Sequence, residues 1–139
     1  KAASSWEAEP VDSLRAWLGL SQPFRYWALQ AIRCSPGPAH KALLPELEKL
    51  AADRKSPVHL ALIGAFYQLG QRQRAFELFD YWSSHEDLMT RAYTLDQALI
   101  FTPRELEAFR SKLEAIADQE DRPYDKRAAQ FVLLKLNKP

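Results

Sequence analysis

The chain has 139 residues, 47% of them hydrophobic and 12% aromatic, which is enough apolar material for one sizeable core and too little length for two independent domains. Lys and Arg number 19 against 18 for Asp and Glu, a net charge of +1 with neutral histidines, and no long run of one sign occurs, so nucleic acid is not the expected partner. The single cysteine, Cys34, excludes an intramolecular disulfide framework and a multi-cysteine metal site, and no segment approaches about 18 uninterrupted apolar residues, so no membrane span is expected.

In chain order, residues 1–10, "KAASSWEAEP", are small, polar and unpatterned and read as a disordered or extended segment. They begin without methionine, as a processed or truncated product would. From there proline marks the joints. Pro10, Pro23, Pro36, Pro38, Pro45, Pro57, Pro103 and Pro123 mostly precede apolar-periodic runs, and proline suits the first helical turn because its missing N–H has no intrahelical partner there. The pattern predicts helices near 11–18, 22–34, 39–52, 57–69, 71–84, 87–101, 103–118 and 122–136. Thr102 before "PREL" is the best start signal, with a hydroxyl cap, proline next and Glu105 at the capping-box position; Ser56 and Ser21 are weaker starts. Strand signals are scarce: valine occurs only as Val11, Val58 and Val132, and no Asn-Gly or Asp-Gly turn is present. "QFVLLKL" near the end has strand-like composition, but "DRPYDKRAA" before it leads in as a helix, and a helix is predicted.

Shifting the sequence by 33 residues aligns Ala28 with Ala61, and Leu29 with Leu62 and Leu95. Ala42, Ala75 and Ala108 form a second series, flanked by Leu43, Phe76 and Phe109, and Gly37 pairs with Gly70. Leu14, Leu47 and Leu113 make a third series, broken at Asp80; Trp17, Leu50 and Ile116 make a fourth, broken at Ser83. Small residues at fixed places let two helices approach, large ones fill the space between neighbouring pairs, and a period of this size points to stacked helical hairpins. A non-repetitive helical bundle is the alternative.

Gly70, Ala75 and Phe79, preceded by Leu62 and Phe66, resemble the tetratricopeptide signature, with the full likeness confined to residues 57–85. "SPVHLA", 56–61, is also similar to the opening of an ankyrin unit, but it occurs once. The tetratricopeptide resemblance implies an all-α fold, a right-handed superhelical array of antiparallel hairpins with about seven or eight helices, forming a single helical-repeat domain over 11–139. It also implies a groove that binds proteins or peptides.

Catalytic groupings are few. His40, His59 and His85 form no "HExxH" pair, Cys34 beside Arg33 reads as a small core group, and the carboxylate pair Glu77 and Asp80 reads as a solvated helix face. Four dispersed glycines make no phosphate loop, so no enzyme, metal or cofactor is expected. In the helical-repeat reading the first helix of each unit lines a concave side, which selects Trp27, Leu60, Gly64, Tyr67, Tyr93 and Gln97 as binding residues. The expected function is therefore a non-catalytic protein- or peptide-binding module, an adaptor, co-chaperone or assembly factor. The alternative is a structural scaffold domain of a larger multidomain protein, such as a bacterial envelope or secretion component; a helical-bundle enzyme or an RNA-binding repeat ranks below both. Cytoplasm and periplasm are both compatible, and nothing in the sequence sets the oligomeric state.

Overall fold

A computed structural model describes residues 8–53 and 59–138, with the side chains of His59 and Leu60 outside the description. Within the described residues the chain is all-α, without strands. The helices are α1 (Val11–Leu18), α2 (Phe24–Cys34), α3 (Leu44–Ala51), α4 (His59–Gln68), α5 (Arg72–Trp82), α6 (Leu88–Gln97), α7 (Pro103–Leu106), α8 (Arg110–Ala117) and α9 (Pro123–Leu136). Short 3₁₀ segments precede α3 (Pro38–Leu43), follow α6 (Ala98–Ile100) and join α7 to α8 (Glu107–Phe109). The predicted start at Ser56 and Pro57 lies outside the described residues, as do residues 1–7. Inside the span read as one repeat domain the chain divides into two compact units, Lys1–Glu77 and Leu78–Pro139, with the boundary inside α5.

In the first unit α4 packs on α2 and α3, and α1 packs on α2. The run Ala61–Tyr67 is buried at every position, as expected of a helix that is apolar all round and therefore belongs inside. Its end is set by Gly70, whose φ of +83° only glycine adopts without strain. There the Gln71 N–H donates to the Phe66 carbonyl (2.9 Å) and the Gly70 N–H to the Tyr67 carbonyl (3.1 Å), the paired bonds of a Schellman stop. Ala75 follows in α5, fully buried. Enlarging it in A75L should lower stability by ~1–3 kcal/mol through overpacking. A denaturation midpoint equal to that of the unaltered chain would show that the surroundings of Ala75 are not close-packed.

His40, one of the candidate chemical residues, is a structural tie in the first unit. Its Nδ1 accepts from the Gly37 N–H (3.1 Å), so its Nε2 carries the proton and donates to the Glu9 carbonyl (2.7 Å). A Cβ on Gly37 would approach the Ala8 Cβ to 2.9 Å, so glycine there makes room for the extended segment 8–10. Cys34 corrects an expectation: it is exposed rather than core. It ends α2 on the side away from the buried stripe Ala28, Leu29 and Ile32.

In the second unit α9 packs on α6, α7 and α8. Its buried positions Asp125, Ala129, Val132 and Leu136 fall on one helical stripe, which is why "QFVLLKL" is helix: Val132 and Leu136 share a face at helical spacing. Thr102 and Glu105 form the predicted capping box, with the Thr102 hydroxyl accepting from the Glu105 N–H (3.2 Å) and the Glu105 carboxylate accepting from the Thr102 N–H (2.8 Å). The helix predicted over 103–118 is nevertheless broken by a 3₁₀ turn at Glu107–Phe109. Arg110 binds Glu107 through both Nε (2.9 Å) and Nη2 (2.7 Å) across that turn, which holds the Glu107 carboxyl below its usual range.

Candidate functional site

Of the residues expected to bind, two are open to a partner. Trp27 on α2 is 51% exposed, its ring edge-on to Phe24 at 5.6 Å, and Tyr93 on α6 is 52% exposed. Gly64 and Tyr67 are instead buried in α4, and the Tyr67 ring lies 4.7 Å from the Arg72 guanidinium. Gln97 is buried at the end of α6, with its Oε1 unpartnered among the described residues. The side chain of Leu60 lies outside the described residues. The burial of Gly64, Tyr67 and Gln97 corrects their assignment to an open surface: periodicity assigned them a helix face, and tertiary packing covers that face.

Tyr93 belongs to a groove of about 430 Å³ between α6 and α9, lined by Ala92, Tyr93, Asp96, Leu99, Ala128, Phe131 and Val132. The small side chains of Ala92 on α6 and Ala128 on α9 leave space in the lining, which also includes the aromatic rings of Tyr93 and of Phe131, the latter 61% exposed. Met89 and Leu134 are further exposed apolar residues of the same two helices. Asp96 is the one charged group in the lining. Phe131 is absent from the sequence reading because the question asked of "QFVLLKL" was helix or strand, not which face stays open; its i, i+3 spacing with Leu134, on positions outside the buried stripe, was the available signal.

Three interactions position these helices. The Asp87 carboxylate caps α6, accepting from the Thr90 N–H (2.8 Å) and the Thr90 hydroxyl (2.9 Å). Those bonds, the backbone one first, hold its carboxyl below the usual carboxylate range. Arg91 on α6 forms a buried ion pair from Nε to Asp125 Oδ2 on α9, while its Nη1 donates to the carbonyls of His85 (2.9 Å) and Glu86 (2.6 Å). The Lys135 ammonium of α9 donates to the Leu99 carbonyl. Both walls of the groove are thereby tied by charge-assisted bonds, so the aromatic rims stand on a fixed frame.

The other candidates carry less. A depression of about 440 Å³ in the first unit is ringed by groups that satisfy one another, including Arg15 Nε with Glu46 (3.3 Å) and Arg25 Nε with the Leu18 carbonyl (3.1 Å). Glu77 pairs with Arg74 (3.5 Å) and Asp80 with Lys112 (2.9 Å), both carboxylates largely exposed, as solvated helix faces are. The His85 Nδ1 accepts from the Asp87 N–H (3.1 Å), and its ring stands 5.2 Å from Trp82. Among the described residues no group of three His, Cys, Asp or Glu side chains converges on a metal position, and no helix is long and apolar enough to cross a membrane. Comparison of the chain with protein-family models, with curated proteins and with solved structures returned no match.

Proposed function

We propose that this chain is a non-catalytic helical-repeat module that binds a protein or peptide partner through the α6/α9 groove, in the manner of an adaptor, co-chaperone or assembly factor. The groove itself carries the reading: an open apolar cleft bounded by exposed Tyr93 and Phe131 is the kind of surface that anchors another chain. The right-handed tetratricopeptide-like array belongs to the same proposal and draws on how the helices pack. Stacked hairpins require each new first helix to touch both members of the preceding pair, and α4 contacts α2 and α3 as α9 contacts α6 and α8. On that reading α6 and α9 are successive first helices, and their shared face is the concave one. The occupant best matched to a cleft between two helices is an amphipathic helix with apolar side chains one turn apart and a basic residue placed against Asp96.

The test is a pulldown from the native source with the unaltered chain, Y93A, F131A and W27A, each checked for unchanged helical circular dichroism. Loss of either groove aromatic should weaken capture of the same partner by ~2 kcal/mol, about thirtyfold in affinity. W27A, on the exposed face of α2, should leave it unchanged. A partner released by W27A and kept by Y93A and F131A would overturn the groove assignment.

A further inference from the structure

The second unit holds another concavity, of different chemistry. It measures about 210 Å³, room for about seven waters, and its polar lining includes Ser83, Arg91, Lys112, Gln119, Arg122 and Asp125. Two observations distinguish it from a solvated crease. The first is Asp125, which is 1% exposed; its Oδ2 is held by Arg91 while its Oδ1 has no hydrogen-bond partner among the described residues. A buried carboxylate oxygen without a donor is costly, and Asp125 is one of the residues that line this cavity. The second is the charge of the lining. Three cationic groups face one carboxylate, and even with Asp80 neutralising Lys112 (2.9 Å) a positive excess remains. Arg122 is exposed, and its guanidinium makes no hydrogen bond or ion pair among the described residues.

A simple cation would satisfy Asp125 but be repelled by the arginines and lysine. A fully deprotonated anion would satisfy the cations but set oxygen against oxygen at Asp125. An anion that keeps one proton meets both demands. Its O–H donates to Asp125 Oδ1, and its remaining oxygens accept from Arg122, from the N–H that Lys112 does not spend on Asp80, and from the Gln119 amide or serine hydroxyls. We propose that this cavity binds a protonated tetrahedral oxyanion of the hydrogen-phosphate type, with Asp125 selecting the protonated species and Arg122 supplying the accessible charge. The site lies apart from the α6/α9 groove in its lining residues and does not depend on the partner-binding reading.

Inorganic phosphate and sulfate separate the possibilities, since the two ions share shape and similar charge, but at neutral pH phosphate keeps at least one O–H and sulfate keeps none. The chain is titrated with each at matched ionic strength, following backbone amide NMR shifts at Ser83, Ser84, Gln119 and Arg122. Phosphate should give saturable shifts, with sulfate about tenfold weaker or more, the worth of a hydrogen bond to a buried charge. R122A should weaken phosphate about threefold without moving the thermal midpoint. D125N, whose amide can itself donate, should abolish the preference for phosphate over sulfate. Equal responses to both ions, no response to either, or undiminished phosphate binding by R122A would each overturn the proposal. The comparison of the two ions on the unaltered chain, together with R122A, decides the matter even where D125N fails to fold.

Discussion

D125A is expected to cost about 3–5 kcal/mol of stability, because it removes one partner of a buried ion pair and leaves the other charged and enclosed. Arg91 is buried on α6, and its Nε loses the carboxylate it donates to, while nothing else in the cavity lining is anionic. The loss should appear as a lower midpoint in urea with an unchanged slope. Much of this cost is desolvation of an unmatched charge rather than the worth of the pair itself. The double variant R91M/D125L, apolar at both positions, should therefore recover most of the stability that D125A loses. A D125A midpoint within about 1 kcal/mol of the unaltered chain would mean that Arg91 reaches water more readily than its burial indicates. The pair also joins α6 to α9, so D125A should weaken partner capture by the groove even at temperatures where the chain remains helical.

F79A should be of similar size, about 3–5 kcal/mol, by a different mechanism. Phe79 is fully buried, with ring centroids 5.6 Å from Phe101 and 4.8 Å from Phe109, both edge-to-face, and Phe101 and Phe109 themselves lie 6.2 Å apart. Removing the ring forfeits its transfer free energy, two favourable aromatic contacts, and the dispersion of the atoms left facing a void. Phe79 is in α5, Phe101 follows the 3₁₀ turn after α6, and Phe109 sits in the 3₁₀ turn before α8, so the cluster ties three separated stretches together. F79L, which keeps most of the volume, should cost less than about 1.5 kcal/mol. The two substitutions measured side by side in urea check the mechanism: equal losses would place the effect in ring-specific contacts, whereas a loss below about 1 kcal/mol for F79A would show that the site collapses to fill the gap.

The helix starts and stops were legible in the sequence where local chemistry sets them. The Thr102–Glu105 capping box and the stop at Gly70 rest on atoms within five residues of one another, so no distant contact is needed to find them. The interruptions at Pro38–Leu43 and Glu107–Phe109 were not legible, because a 3₁₀ turn and an α-helical turn use nearly the same residue types and differ in which carbonyl each N–H reaches. The site shows the same division. Tyr93 stood out as an aromatic at a repeat position, and Phe131 required knowing that α9 lies against α6 and leaves that ring uncovered. Tyr67 and Gln97 were assigned to the same first-helix face as Tyr93, yet packing within their own units buries them.

By itself, then, the sequence determined an all-α chain and the order and approximate span of its helices, whereas the burial of α4 on every side, Gly64 and Tyr67 included, came from packing. The helices and their order follow from backbone propensity, proline placement and hydrophobic period, all of which act over a few residues. Tertiary structure alone decided which apolar faces remain open, that Arg91 and Asp125, 34 positions apart, become a buried pair, and that His40 is a tie to the Glu9 backbone rather than a chemical group. The reason is physical. Burial and charge pairing depend on distances between segments remote in sequence, and a periodic pattern specifies that a face is apolar without specifying what, if anything, covers it.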